Sequence, residues 1–320
     1  MMRPMLISRR GAMLAGGLAL AAGTARARSW PARPIRVVVP YAAGGADQFI
    51  RPLQERLTRE LGQPLVIESA PGGGGALGAA RVRAAPADGY TLLFAGTGAL
   101  TSVPRLQKLG YAIADFAPIA NVIAIPYMLA ARRDAAFADM SGFLAAARGK
   151  PEGLTYGTPG AGSTPHLIAE AMAKAAGIRL LHVPYSGIST AAVALLAGEI
   201  DLVMGAPGNI MPLVERGIRP LAQTGARRIA PLPELPTLRE AGLPVDLVTR
   251  FGFLAPRGTD GAVLDRVSEL VLGAAADPAY AEAMHHSFNE VEPLDRAAFQ
   301  TFLEAEDRAT AQWLRDLDLG

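Results

Sequence analysis

The chain has 320 residues, of which 50% are hydrophobic and 19% are charged, with a formal net charge of +2 and no cysteine. The lack of cysteine excludes disulfide bridges, thiolate metal sites and thiol nucleophiles, so packing alone must stabilise the fold. At about 100–200 residues per domain, this length favours two domains, each large enough to bury its own core.

The N-terminal residues have the pattern of an export signal. Arg9 and Arg10 precede an apolar stretch that ends in the small-x-small sequence of residues 25–27. The stretch is shorter than the roughly 20 apolar residues that a membrane anchor needs. We therefore predict a twin-arginine signal peptide over residues 1–27, cleaved after Ala27, and a periplasmic location for the mature protein.

Removal of the signal changes the charge balance. It takes away four arginines and no acid, so the net charge moves from 31 − 29 = +2 to 27 − 29 = −2. The mature chain keeps no cluster of lysine and arginine, which argues against a nucleic-acid partner.

Downstream of the signal, short apolar runs alternate with stretches of helical periodicity. The runs predict strands at residues 35–40, 64–69, 90–96, 127–132, 154–159, 180–185, 201–206 and 219–225. This alternation predicts an α/β fold with a parallel sheet covered by helices on both faces. From Gly258 onward the pattern is more helical and predicts a terminal layer of helices.

Glycines and short polar residues mark the predicted helix ends. Three glycines follow helical segments at places that suit a left-handed terminal residue, namely Gly62, Gly177 and Gly198. Three polar residues precede helical segments and are predicted N-caps, namely Asp47, Thr164 and Ser189.

Three loops after predicted strands are rich in small residues, namely residues 41–47, 96–102 and 158–164. In open α/β sheets ligands bind at the carboxyl ends of strands, and the first N–H groups of a helix attract an anion. We therefore predict that the third loop holds a carboxylate or phosphate through main-chain N–H groups and the hydroxyls of Ser163 and Thr164. The alternative is that glycine and proline in these loops only form tight turns.

A glycine-rich run offers a second interpretation. Gly73, Gly75 and Gly78 have the spacing of a dinucleotide-binding fingerprint. The acidic residue that this fingerprint needs about 20 residues later is missing, because the next strand ends in Gly96. A nicotinamide or flavin enzyme is therefore the weaker alternative, and no cofactor is predicted.

Hydrolase and metal chemistry have little support in the sequence. A Gly-x-Ser-x-Gly elbow is absent, and no acid can be assigned to orient Ser163 and His166 as part of a triad. His285 and His286 are adjacent, so they face different sides of a helix and cannot form an i, i+4 metal pair. We predict neither an enzyme nor a metal site.

Four segments together carry a resemblance to a known family. They read GQPLVIESAPGGGG, PADGYTLL, GSTPHL and HVPYSG, and similar segments continue through nearly the whole mature chain. In this combination the chain resembles the solute-binding proteins of tripartite tricarboxylate transporters, also called the Bug family. The resemblance implies a type II periplasmic-binding-protein-like fold, with two α/β lobes and a ligand cleft between them.

The same resemblance implies where the lobes divide. The first lobe is expected to take residues 28–126 together with 249–320, and the second lobe residues 127–248. The two crossings between the lobes are expected near residues 124–128 and 246–252.

In that family a small carboxylate is gripped in the cleft by two loops and bridging waters, largely through main-chain groups. The residues that the resemblance implies as ligand-binding are Tyr41, Ala42, Ala43, Gly44, Gly45, Asp47, Thr97, Gly98, Gly160, Ala161, Gly162, Ser163, Thr164, His166, Tyr185, Gly187, Gly205 and Ala206. Closure of the lobes then presents a new surface to a partner. The expected partners are the membrane subunits of a transporter or, as an alternative, the ectodomain of a sensor, and the protein is expected to be a monomer.

One departure from the family pattern bears on the ligand. Many members carry an acid after the strand at residues 201–206, where this chain has Gly205. An acid there would pair with an amino or hydroxyl group of a ligand. Its replacement by glycine favours a plain carboxylate over an amino acid.

Overall fold

The computed structural model describes residues 30–150 and 153–317. The predicted signal peptide, residues 1–27, lies outside the described residues. The strands in chain order are β1 Ile35–Val39, β2 Leu65–Ser69, β3 Thr91–Gly96, β4 Phe116–Pro126, β5 Met128–Arg132, β6 Thr155–Thr158, β7 Leu181–Pro184, β8 Leu202–Gly205, β9 Ile218–Gln223, β10 Val248–Pro256 and β11 Glu290–Leu294. The α-helices are α1 Asp47–Leu61, α2 Ala76–Arg83, α3 Ser102–Leu106, α4 Met140–Gly149, α5 Thr164–Ala176, α6 Ile188–Ala197, α7 Pro207–Ile210, α8 Gly261–Ala275, α9 Pro278–His286 and α10 Arg296–Asp316.

Six strands form the first sheet, in the order β11-β4-β10-β3-β1-β2. The central strand β1 is buried on both faces because its successive valines point in opposite directions. Val37 and Val39 join one apolar cluster with α1 and α8, whereas Val38 joins a second cluster with α2 and α10. Helices therefore cover both faces of this sheet. We call the half of the molecule built on it the first lobe.

Five strands form the second sheet, in the order β7-β6-β8-β5-β9, and we call the half built on it the second lobe. The α/β class predicted from the sequence is confirmed, but the prediction of a parallel sheet is wrong, because both sheets are mixed. β10 runs antiparallel to β3 and β4, and β5 runs antiparallel to β8 and β9. These antiparallel strands are the ones that carry the chain between sheets, so no helical crossover sets their direction.

The chain crosses between the lobes at two places that are bonded to each other. β4 in the first sheet leads through the single residue Tyr127 into β5 in the second sheet, and residues 224–247 lead back from β9 to β10. Where the chain returns to the first sheet, Val248 pairs with Pro126 and Thr249 pairs with Ile125 in the ladder between β10 and β4. The two crossings therefore lie side by side.

Helix α10 contacts both lobes. Phe299 and Leu303 in its first half are buried in the first lobe. Near its end, Trp313 packs on the core of the second lobe. Between these anchors, Thr97 Oγ1 of the first lobe donates to Glu306 Oε1 at 2.6 Å. The helix thus forms a third connection between the lobes.

Several local predictions can be compared with the structure. All of the predicted strands are present, and Gly62, Gly177 and Gly198 end their helices with φ values of 68°, 63° and 77°. The predicted N-caps are wrong by one or two positions. The N-cap residues are Ala46, Ser163 and Gly187, so Asp47, Thr164 and Ser189 lie inside the first turns.

Within the ranges 30–150 and 153–317, no helix is long and apolar enough to cross a membrane. The same part of the chain contains no group of three or more metal-ligating side chains.

Candidate functional site

A cavity of about 50 Å³ lies between the lobes, beside the two crossings. Its walls are mostly apolar: Tyr41 and Phe49 come from the first lobe, Ile125 and Phe251 from the strands that lead to the crossings, and Ile188 from the second lobe. The ring centroid of Phe251 lies 6.0 Å from that of Tyr41 and 5.5 Å from that of Phe49. Among the described residues that line this cavity there is no Asp, Glu, Lys, Arg or His.

Three hydroxyl groups lie together in the wall, those of Tyr127, Thr164 and Thr249, and we call them the hydroxyl cluster. Thr249 is 1% exposed, and its Oγ1 has no hydrogen-bond partner among the described residues. Burial raises the pKa of the Tyr127 phenol, and the neighbouring hydroxyls of Thr249 and Thr164 offset part of that rise. A buried hydroxyl without a partner costs about 1–3 kcal/mol. The cluster therefore keeps a neutral donor that a ligand can use.

The first turn of α5 lines the cavity next to this cluster. Ser163 is the N-cap, and the helical ladder begins with the Leu167 N–H donating to the Ser163 carbonyl at 3.1 Å. The N–H groups of Thr164 and His166 precede that bond and have no acceptor within the helix. The helix dipole adds a partial positive charge at this end. The cavity therefore attracts an anion without any ionised side chain in its wall.

The other polar side chains of the wall are hydrogen-bonded within the protein. Ser163 Oγ donates to the Gly160 carbonyl at 2.7 Å. Asn209 Nδ2 donates to the Gly44 carbonyl at 2.8 Å, and Asn209 Oδ1 accepts from Gln48 Nε2 at 3.3 Å. The side-chain hydrogen-bonding capacity offered to a ligand is therefore concentrated at the hydroxyl cluster, next to the first turn of α5.

Glycines in the predicted loops allow the lobes to touch. A Cβ on Gly98 would lie 2.4 Å from Thr164 Oγ1 in the opposite lobe, and a Cβ on Gly160 would lie 2.7 Å from Gly74 N. Gly160 also has a φ of 122°, which only glycine adopts without strain. The run that includes Gly73 and Gly75, considered above as a dinucleotide fingerprint, thus packs against the loop before α5.

Hydrogen bonds join the lobes around the cavity. Four of them run from a side chain of one lobe to a carbonyl of the other: Ser102 Oγ to Gly162 O at 2.5 Å, Gln107 Nε2 to Ala161 O at 3.0 Å, and Asn209 Nδ2 and Ser189 Oγ to Gly44 O at 2.8 and 3.2 Å. Because backbone and short side chains from opposite lobes are in direct contact, the lobes are in a closed arrangement.

His166 lies behind the loop and does not line the cavity. Its Nδ1 accepts the Gly162 N–H at 3.1 Å, and its ring centroid is 4.1 Å from that of His182. His182 Nε2 in turn lies 2.7 Å from Thr158 Oγ1. Burial lowers the pKa of His166 to about 3, with a further contribution from His182, and burial lowers the pKa of His182 to about 4. Two neutral imidazoles therefore support the loop that carries Ser163.

Some of the predicted site residues line the cavity, namely Tyr41, Gly45, Ser163, Thr164 and Ala206. The others lie in the adjoining loops, between the lobes or behind the wall: Ala42, Ala43, Gly44, Asp47, Thr97, Gly98, Gly160, Ala161, Gly162, His166, Tyr185, Gly187 and Gly205. Four apolar side chains of the wall and two members of the hydroxyl cluster are absent from the predicted set, namely Phe49, Ile125, Ile188, Phe251, Tyr127 and Thr249. Tyr127 and Thr249 fall within or beside the predicted crossings, a position that could have pointed to them.

Gly205 has no room for a side chain. A Cβ there would lie 1.9 Å from Ile188 Cδ1, so the isoleucine occupies the place into which an acid would project. Asp47, also predicted in the site, is 2% exposed and does not line the cavity, and its Oδ2 accepts from Arg51 Nε at 2.8 Å. Neither position presents a carboxylate to the cavity.

Known proteins share most of the length of this sequence. The family model described as the tripartite tricarboxylate transporter family receptor matches residues 49–314. The UPF0065 protein in the gbd 5' region of Cupriavidus necator is 34% identical over 290 residues, which cover 89% of this chain and 88% of the relative. A UPF0065 protein of Bordetella bronchiseptica is 36% identical over 268 residues, which cover 82% of this chain and 79% of the relative.

Solved structures share the fold. The periplasmic binding protein BugD matches with a TM-score of 0.84 and 28% identity, over 91% of this chain and 99% of that one. Rpa4515 of R. palustris, solved with adipate, matches with a TM-score of 0.84 and 30% identity, over 90% and 98%. MatC of Rhodopseudomonas palustris, solved with bound malate, matches with a TM-score of 0.83 and 27% identity, over 89% and 100%. The predicted periplasmic-binding-protein-like fold is therefore confirmed.

Proposed function

The chain belongs to the tripartite tricarboxylate transporter receptor family, and on that premise we propose that it is an extracytoplasmic solute-binding protein for a small carboxylate. The observation that carries the proposal is the cavity between the lobes, where the hydroxyl cluster meets the first turn of α5. A carboxylate accepts hydrogen bonds from such donors and is stabilised by the end of the helix dipole. Two relatives of similar fold were solved with adipate and with malate, which supports this class of ligand.

The proposed mechanism is lobe closure about the ligand. Thr164 belongs to the second lobe, whereas Tyr127 and Thr249 belong to the crossings, so a carboxylate that reaches all three requires the lobes to be together. The free energy of binding then offsets the cost of bending the crossings. We propose that the lobes are residues 28–126 with 249–320 and residues 127–248, and that they move relative to each other at these crossings.

The proposal includes export and delivery. Residues 1–27 direct the chain to the periplasm and are removed after Ala27, and the closed form is recognised by the membrane subunits of a tripartite tricarboxylate-type transporter. Support comes from the family description, which names such a transporter. Deletion of the gene should abolish uptake of the radiolabelled ligand by whole cells. Unchanged uptake combined with loss of a ligand-dependent transcriptional response would instead indicate the sensor partner.

The first test is isothermal titration of the purified mature chain, residues 28–320, with a panel of carboxylic acids. The variant Thr249→Val keeps the shape of the side chain and removes Oγ1. Because that oxygen has no partner of standard hydrogen-bond geometry among the described residues, the ligand-free variant should lose little stability, whereas its carboxylate affinity should fall about 10-fold.

Thr259→Val is a matched control. Thr259 is 7% exposed, and its Oγ1 donates to the Pro256 carbonyl at 2.8 Å, away from the cavity. This variant should lose stability and keep its carboxylate affinity. If Thr249→Val binds every acid as tightly as the unmodified protein does, the hydroxyl cluster is not the carboxylate site. If the unmodified protein binds none of the acids, the proposed function is wrong.

A further inference from the structure

The side-chain hydroxyls offered to a ligand lie at one pole of the cavity, next to the first turn of α5. Elsewhere in the wall, both polar atoms of the Asn209 amide are used by Gly44 and Gln48, and the Tyr41 phenol has a backbone hydrogen bond with Gly96. Among the described lining residues, side-chain hydrogen bonds are therefore offered to a ligand at this pole.

The rest of the wall is apolar. Phe49, Phe251, Ile125 and Ile188 line it, and no lysine, arginine or histidine lies among the described lining residues. A second ligand carboxylate would have to lie against these side chains without a side-chain donor or a counter-charge. An ionised group buried in that way is strongly disfavoured relative to water. The apolar wall therefore selects against dicarboxylates and tricarboxylates.

The same wall also lacks a partner for an ammonium group. Gly205 leaves no space for an acid because Ile188 fills it, and Asp47, whose Oδ2 accepts from Arg51, does not line the cavity. Glu306 lies in an adjoining cavity of about 70 Å³, where it accepts from Thr97 Oγ1, and it does not line the ligand cavity. An amino acid would therefore bury its ammonium group unpaired.

We propose that the protein selects small monocarboxylates whose body is an aromatic ring or a short hydrocarbon chain. The carboxylate binds at the hydroxyl cluster and the first turn of α5, and the apolar body packs between Phe49, Phe251 and Ile188. This inference rests on the proposed function and narrows the class of carboxylate that the same cavity takes. It also separates this chain from relatives solved with dicarboxylates.

Matched pairs of acids test the inference by isothermal titration of the mature chain. In each pair the second acid differs from the first by one added charged group: 4-methylbenzoate and terephthalate, hexanoate and adipate, 3-phenylpropanoate and L-phenylalanine. In each pair the first acid should bind about 10- to 100-fold more tightly than the second. A second acid that binds as tightly as the first, or more tightly, overturns the inference and leaves the proposed function intact. Failure of all six acids to bind overturns both.

A matched pair of variants locates the apolar pole. Phe251 and Phe253 lie on the same strand and both contact Phe94, with centroid distances of 5.9 and 5.0 Å, but only Phe251 lines the cavity. Phe251→Leu should weaken 4-methylbenzoate binding about 3- to 10-fold, whereas Phe253→Leu should lower stability and leave the affinity unchanged. Equal affinities of the two variants would contradict the assignment of the wall.

Ile188→Val provides a second measurement in case Phe251→Leu does not fold. It removes one methylene from the same wall and should weaken hexanoate binding about 2- to 5-fold, without making adipate the better ligand. A reversal of preference toward adipate would overturn the inference.

Discussion

The substitution Gly98→Ala tests whether ligand binding depends on contact between the lobes. The added Cβ would lie 2.4 Å from Thr164 Oγ1 and 3.0 Å from Thr164 N, both in the opposite lobe. The φ of Gly98 lies outside the left-handed region, so alanine can adopt the same backbone conformation. The substitution therefore adds a steric contact across the lobes and leaves each lobe's own core unchanged.

The size of the effect follows from that contact. Forcing one extra methyl group into a close-packed region costs about 1–3 kcal/mol. In Gly98→Ala this cost falls on the closed arrangement, because an open form separates Gly98 from Thr164. Since only the closed form binds with full affinity, the affinity for a carboxylate should fall about 5- to 150-fold. The thermal unfolding midpoint of the ligand-free protein should change little.

The assay is isothermal titration with the tightest-binding acid of the panel, with Gly110→Ala as the matched control. A Cβ on Gly110 would meet no atom within 4 Å, so that variant adds the same methyl group without a clash. If Gly98→Ala binds the acid as tightly as Gly110→Ala does, contact between the 96–102 loop and α5 is not part of binding, and the closure mechanism is wrong.

The remaining predictions concern pH, packing and salt. Burial lowers the pKa of His166 to about 3 and that of His182 to about 4, from an ordinary value of 6.5, so below pH 6.5 the unfolded chain binds more protons than the folded one. The free energy of unfolding, measured in urea, should therefore fall as the pH drops from 6.5 toward 4. His166 should contribute about 1.4 kcal/mol per pH unit to this fall, and the more exposed His182 should contribute less. The variant His166→Phe should show a flatter dependence of the free energy of unfolding on pH. Gly205→Ala should lower the free energy of unfolding by about 1–3 kcal/mol because its Cβ would lie 1.9 Å from Ile188 Cδ1. In a double-mutant cycle measured by thermal denaturation, Gly205→Ala combined with Ile188→Ala should lose less stability than the sum of the two single variants. No ionised side chain of the described residues lines the cavity, so the carboxylate affinity measured by titration should change less than about twofold between roughly 50 and 500 mM sodium chloride. A steep decrease in affinity with salt would indicate an ion pair that this geometry lacks.

Local patterns in the sequence predict much of the fold, and the exceptions have physical causes. The C-terminal glycines were identifiable because a left-handed terminal residue favours glycine. The N-cap of α5 was placed one residue late because Ser163 and Thr164 are adjacent and both types cap helices. The predicted strands do not include β4, β10 or β11. In β10, Gly252 interrupts the apolar pattern. A Cβ there would lie 2.5 Å from the Ala120 carbonyl, next to an irregularity in the pairing with β4.

The candidate site was predictable in part. Loops of small residues at strand ends indicated where a ligand would approach, because small residues allow backbone groups to come close. The apolar wall was not predictable, because Phe49 and Phe251 have the same sequence pattern as buried core residues and also pack in the core of the first lobe. The importance of Thr249 depends on the absence of a partner for its hydroxyl, and only the packed structure provides that information.

The attachment of α10 to both lobes restricts how the molecule can move. Two neighbouring crossings, one at Tyr127 and one at the start of β10, would by themselves permit both swinging and twisting. A helix fixed at Phe299 in one half and at Trp313 in the other acts as a strut away from that axis. Twisting would shear the strut, so the motion that remains is a single swing in which the end of the helix slides or detaches at Trp313.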